Sequence, residues 1–371
     1  MDEFNVMEEL GLTHDKQLIC SCQGFLQMNN SSKGLCERFI KNGDKFYDII
    51  SRYDDIIAYV LNRDEGRSGN TARFIAPFLK AFGATDYGMY QYCKESLRIM
   101  PEAKRVMKYL TNTLPTFIST SSYEHNVMAL CDTLDISINI VDRATVSMDS
   151  YDISRSEGRL IREMANQVTN LKLPRHEYEL NVPMTLETDE IHMIEVCDEI
   201  FHNKIKDLEI NELMRNMKVV GANEKAYSLL DIRKRTMIDL DGTAYIGGAM
   251  MDYQSMDLVR DGGGLSMAFN GSEFAVHGCN IAVLSRDCTV AAVLVQEFYN
   301  EGIEAVYELV RNWDREKLKN RECPDRYLMD AMLAANPHKL PEVYIVDKDN
   351  AKEIAKKSNG YRKKLFSQKS Y

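Results

Sequence analysis

Apolar residues along the chain fall into two alternating patterns. Short apolar runs closed by glycine, proline or asparagine read as buried strands, and longer stretches with apolar residues three and four apart read as helices. Runs of the first kind lie at 17–20, 115–122, 136–141, 245–246, 265–269 and 281–284, with a further one at 343–346. Helical spacing fills 73–82, 89–99, 124–134, 155–169, 189–202, 252–259, the stretch before Leu230 and 289–313. Pro101 starts another helix, through Leu110. Short apolar strands alternating with helices predict an α/β protein built on a doubly wound parallel sheet.

Two long helical stretches interrupt the alternation. Residues 29–110 read as a helical cap inserted after the first strand, and 142–217 as a second, mostly helical insertion with a loop around Pro174 and Pro183. The core is then assembled from 16–28, 111–141 and 218–290. A helical lead-in precedes Asp15, and 291–371 form a C-terminal helical extension with a stretch around Pro324, an apolar segment at 327–335 and a basic tail.

Composition narrows the function classes. The 371 residues suffice for a sizeable core. A formal net charge of -10 argues against a nucleic-acid groove, which needs clustered lysine and arginine. Only Lys352, Lys356, Lys357, Arg362, Lys363, Lys364 and Lys369 cluster; they read as a solvated helix end and a frayed tail, or as a dock for an acidic partner. No apolar run approaches the roughly 18 residues of a membrane span, so none is expected. The acidic start MDEFNVMEELG has no signal-peptide pattern, and nine cysteines without a disulfide framework suit a reducing cytoplasm. Twenty methionines read as adaptable core filler. His176, His192 and His202 lack the spacing of helix-borne metal ligands and read as ordinary histidines.

Chemistry concentrates at the strand ends. The strand at 17–20 breaks into Ser21-Cys22-Gln23-Gly24, an apolar strand meeting a glycine turn, where α/β folds open a ligand crevice. Ser119 and Thr120 end the second strand ahead of a helix, an arrangement that serves an anion or simple N-capping. Lys225 lies early in a glycine-started helix, where its point charge and the free amides suit an anion. Asp252 follows the Gly247-Gly248 turn. Cys20 and Cys22 read as buried small apolar residues, or as a weak metal or redox pair.

Several passages together resemble haloacid-dehalogenase-type (HAD) phosphatases, and within them an archaeal HAD-like family of methanogens, energy-converting hydrogenase A subunit R. The resemblance is carried by ICSCQG at 19–24, PFLKAFGAT at 77–85, FISTSSYEH at 117–125 and IGGAMMDYQSMDLVRDGGGLSMAFNG at 246–271, in order over roughly 16–290. It implies a HAD-like fold whose cap closes over the ligand. It further implies an attacking aspartate in the place of Ser21, an acidic general acid in the place of Gln23 and a metal-binding aspartate in the place of Gly248. All three carboxylates are missing here, while Ser119, Thr120, Lys225 and Asp252 carry over. In such phosphatases the lysine in the place of Lys225 holds nucleophile and phosphate together. Asp239-Leu240-Asp241-Gly242-Thr243 spells the nucleophile motif of these phosphatases letter for letter. Only about 130 residues follow it, without the remaining motifs in order, so it reads as a loop leading into the strand at Tyr245.

The expectation is therefore a HAD-like protein without phosphatase activity, a pseudoenzyme acting as a binding, assembly or regulatory component of archaeal, methanogen metabolism. Its degenerate anion pocket comprises Ser21, Gln23, Gly24, Ser119, Thr120, Lys225 and Asp252. No confident catalytic residue, metal site or cofactor is expected; Asp252 alone is a candidate metal ligand. A protein partner or larger complex and a small anionic ligand are the expected partners. The alternative is a HAD-type hydrolase with an altered nucleophile loop, which brings back Mg²⁺.

Overall fold

The computed structural model describes residues 14–63, 69–174, 185–321 and 326–367. The expected helical lead-in, His176, Pro183, the stretch around Pro324 and Lys369 fall outside the described residues.

Seven strands form one sheet in the order β3-β2-β1-β4-β5-β6-β7. They are β1 (Gln17–Cys20), β2 (Thr116–Tyr123), β3 (Val141–Ala144), β4 (Thr243–Gly247), β5 (Leu265–Phe269), β6 (Ile281–Leu284) and β7 (Glu342–Ile345). The first six run parallel, and β7 pairs antiparallel with β6. Every residue of β1, β4, β5 and β6 is buried, so these strands read as continuous apolar runs rather than alternating ones. Successive side chains point to opposite faces. Leu18, Cys20, Ile246, Met267 and Val283 join one apolar cluster, while Ile19, Tyr245, Ala268 and Ala282 join another. Helices Ala103–Thr113, Glu124–Leu134, Thr289–Glu301 and Arg326–Ala335 cover the first face. Helices Ala222–Thr236, Tyr253–Asp261, Glu273–Gly278 and Ala351–Ser367 cover the second. This is the doubly wound parallel α/β architecture predicted from the sequence, with helical insertions after β1 and β3.

A third core lies outside the sheet. Helices Ser31–Phe39, Gly43–Asp55, Thr71–Ala81 and Asp86–Ser96 pack with Arg155–Asn170, Thr188–Asp198 and Asn211–Asn216 around it. The two helical stretches, separate in sequence, thus share one apolar interior over the crevice end of the sheet.

Local readings change in three places. The strand expected at 136–141 begins only at Val141, because Ser137 Oγ accepts from the Asn139 amide and folds Ile138–Ile140 into a 3-10 turn. The single helix expected over 289–313 breaks at Gly302 (φ 82°) into Thr289–Glu301 and Ile303–Arg311. The C-terminal basic segment is a helix docked on the core. Ser358 Oγ donates to the Gly271 carbonyl at 2.7 Å, the lysines at 352, 356, 357, 363 and 364 face solvent, and Arg362 turns inward.

Candidate functional site

The crevice opens at the C-terminal ends of β1, β2, β4 and β5. Beyond β1 the chain closes a tight loop: the Leu26 and Gln27 amides donate to the Cys22 carbonyl at 2.8 and 3.0 Å, and the Gly24 amide donates to Gln27 O at 2.8 Å. Gly24 has φ 98°, a conformation that side-chain-bearing residues avoid. Cys20 pairs with Ile118 on one side and Ile246 on the other, so Ser119 and Thr120 flank the loop on one edge and Gly247-Gly248 on the other.

Three of the expected residues meet here. Lys225 reaches in from helix Ala222–Thr236, whose first turn is closed by Glu224 Oε2 accepting from the Gly221 amide at 3.1 Å. Its Nζ donates to Ser21 Oγ at 3.0 Å and to Asp252 Oδ1 at 2.6 Å. Tyr245 adds its hydroxyl to Oδ1 at 3.2 Å, and the Gly248 and Ala249 amides donate to Oδ2 at 2.9 and 2.8 Å. Burial alone would raise the Asp252 carboxyl; the Lys225 charge and these hydrogen bonds outweigh it and hold the carboxyl below its ordinary range. Gly247 permits the approach, since a Cβ there would lie 2.7 Å from Asp252 Cβ.

The network is closed: both Asp252 oxygens are taken, and Lys225 and Asp252 are only 2% and 0% exposed. The Ser21 hydroxyl meets an ion-paired lysine rather than a general base, so nothing among its contacts activates it as a nucleophile. The thiols do not substitute. Cys20 and Cys22 are fully buried, and burial pushes Cys20 well up and Cys22 to about 12, opposite to what a reactive thiolate needs.

Nor do these residues fit the Mg²⁺ of the resembling phosphatases. That ion takes hard oxygen ligands in an octahedron, yet the one local carboxylate is saturated with donors. Among the described residues no group of three or more His, Cys, Asp or Glu is placed to hold a metal. A cation of the chain's own stands there instead. Arg362 Nη1 lies 3.2 Å from where a Cβ on Gly248 or on Gly24 would be, and it donates to the Asn270 carbonyl at 3.0 Å. Gly248, where the resemblance places an aspartate, therefore faces a guanidinium. Burial lowers Arg362 to about 10, so it stays charged at neutral pH, and no carboxylate pairs with it among the described residues.

The sequence groups Arg362 with the basic tail rather than with the crevice; it lies beyond the matching stretch, among solvent-facing lysines, and no local signal separates it from them. Of the other expected residues, Ser119 Oγ is buried without a hydrogen-bond partner among the described residues, and Thr120 Oγ1 accepts from the Ser122 amide at 3.2 Å. Gln23 lines a cavity between crevice and cap. Asp239 and Asp241 are exposed at the opposite, N-terminal end of the strands, before β4 starts, and Asp239 pairs with Arg233. His202 meets Tyr53 Oη at 3.1 Å, and His192 is exposed.

The fold has solved relatives. The structure of gene product AF1437 from Archaeoglobus fulgidus superposes with a TM-score of 0.75 at 20% identity, over 95% of this chain and 96% of that one. A phospho-aspartyl intermediate analogue of phosphoserine phosphatase gives 0.40 at 12% identity, over 76% and 99%. The HAD family hydrolase t0658 from Salmonella enterica serovar Typhi gives 0.40 at 10% identity, over 69% and 62%. No protein-family model and no curated protein sequence matches the chain.

Proposed function

We propose that this HAD-like chain binds a small oxyanion such as phosphate in its crevice without hydrolysing it, as a binding or regulatory component. The observation that carries this reading is Arg362, a guanidinium beside Gly24 and Gly248 with no carboxylate partner among the described residues. A partly buried guanidinium that only stacks on Phe366 and bonds a backbone carbonyl has no countercharge in direct contact among the described residues, and an anion would supply one. The unpartnered Ser119 hydroxyl adds a donor on the β2 side, and a planar guanidinium matches the edge of an oxyanion. Loss of hydrolysis follows from three replacements: a serine without a base, glutamine for the acid, and a fixed organic cation where the phosphatases use a metal. Membership of a larger assembly in archaeal metabolism rests on the family resemblance alone, and capture of a defined complex from native lysate tests it.

Calorimetric titration of the purified protein with inorganic phosphate in excess EDTA tests the main reading. Metal-independent binding, weakened at least tenfold in Arg362→Ala, is expected. Mg²⁺-dependent hydrolysis of p-nitrophenyl phosphate that disappears in Ser21→Ala would overturn it.

A further inference from the structure

Above the crevice lies a cavity of about 200 Å³ with walls from both cap and core. Gln23, Ser121 and Met250 contribute from the loops after β1, β2 and β4. The opposite wall belongs to helix Gly43–Asp55 and the start of helix Thr71–Ala81, and it carries Tyr47, Asp54, Asp55 and Thr71.

Asp54 is the unusual member. It is 1% exposed. Its Oδ2 accepts from the Gly69 amide at 3.1 Å, the Thr71 amide at 2.8 Å and Thr71 Oγ1 at 2.7 Å, so that oxygen ties the start of the next helix. Its Oδ1 is buried with no hydrogen-bond partner among the described residues, and Asp54 lines the cavity. Asp55, the next residue, lines the same space and enters no ion pair or hydrogen bond among the described residues. A buried carboxylate oxygen without a donor is rare in folded proteins, because the missing partner leaves its desolvation uncompensated. Burial raises Asp54 to about 6 in spite of its three donors, and burial together with Asp54 raises Asp55 well above its ordinary range.

We infer that this cavity is a subsite for the primary ammonium group of a small organic ligand, with Asp54 Oδ1 and Asp55 as its acceptors. The remaining wall suits the rest of such a ligand: the hydroxyls of Ser32, Tyr47 and Ser51 and the side-chain amide of Gln23 hydrogen-bond polar substituents, and Met250 and Met251 cover carbon. A divalent cation fits less well, since two carboxylates are too few among the described ligating residues. The site does not depend on anion binding in the crevice and stands or falls separately from it.

The test is calorimetric titration of the full-length protein with ethanolamine, and with ethylene glycol as its uncharged counterpart. Phosphate is titrated in a separate experiment, so failure of the crevice reading is recognised by itself. Ethanolamine is expected to bind and ethylene glycol not to, with affinity at least tenfold lower in Asp54→Asn and in Asp55→Asn. Asp54→Asn keeps an acceptor for Gly69 and Thr71, so the helix start is preserved, and a cooperative melt confirms the fold. Equal binding of glycol and amine, unchanged affinity in both variants, no amine binding, or preferential binding of Mg²⁺ would each overturn the assignment.

Discussion

Two sets of buried charges face each other across the crevice, and they differ in one respect. At the floor, Lys225 and Asp252 are buried together; Tyr245 and two backbone amides complete the hydrogen bonds of the carboxylate, and Ser21 accepts from the lysine. Elsewhere, among the described residues, Arg362 has no carboxylate partner and Asp54 has an oxygen with no donor. A satisfied pair holds the loops in place; an unsatisfied charge is stability forgone, and such groups cluster where a ligand completes them. The floor is thus a fixed platform, and on the reading proposed above the ligand-facing chemistry lies at Arg362 and in the cap.

The comparison breaks most sharply at the floor. Asp252→Asn leaves Lys225 buried without a countercharge and should destabilise by about 3–5 kcal/mol in urea denaturation. Lys225→Met combined with Asp252→Asn should recover much of that loss; no recovery would mean that the pair does more than neutralise itself.

Asp54→Asn should move stability the other way. A carboxyl raised from 3.8 to about 6 by burial binds its proton more tightly when folded, so the folded state loses stability as pH rises through that window. Removing the charge should therefore stabilise at pH 7.5 by up to about 3 kcal/mol, with the gain vanishing near pH 4. A gain independent of pH would assign the effect to packing.

Arg362→Ala should cost about 1–2 kcal/mol through its hydrogen bond and packing, far less than Asp252→Asn, while removing most phosphate affinity. A loss of stability as large as that at Asp252 would place Arg362 with the platform instead. Ser21→Ala is the mildest change: Lys225 keeps its carboxylate, so the expected cost is about 1 kcal/mol with the melt still cooperative.

Much of the platform was legible because each piece has local grammar. Strands β1, β4, β5 and β6 are short, largely apolar runs, Gly247 permits the approach of Asp252, and Lys225 follows a glycine helix start. The rim was not legible, for reasons of geometry rather than composition. Arg362 lies one turn beyond Ser358, which anchors its helix to the Gly271 carbonyl, and its inward direction follows from that docking rather than from its neighbours in sequence. Asp54-Asp55 at the end of an amphipathic helix reads as a solvated terminus, and only packing against the helix from Thr71 buries it. The break at Gly302 is similar, since apolar spacing persists on both sides and only the positive φ ends the first helix.

The position of Arg362 also sets a timetable. Ribosomal synthesis delivers β1, β2, β4 and β5 long before the last helix, and domains begin folding as they emerge. Arg362 reaches the crevice only when helix Ala351–Ser367 has docked, so a molecule with that helix undocked would lack the charge that draws an anion. Anion capture would then report that this helix has found its seat on the sheet.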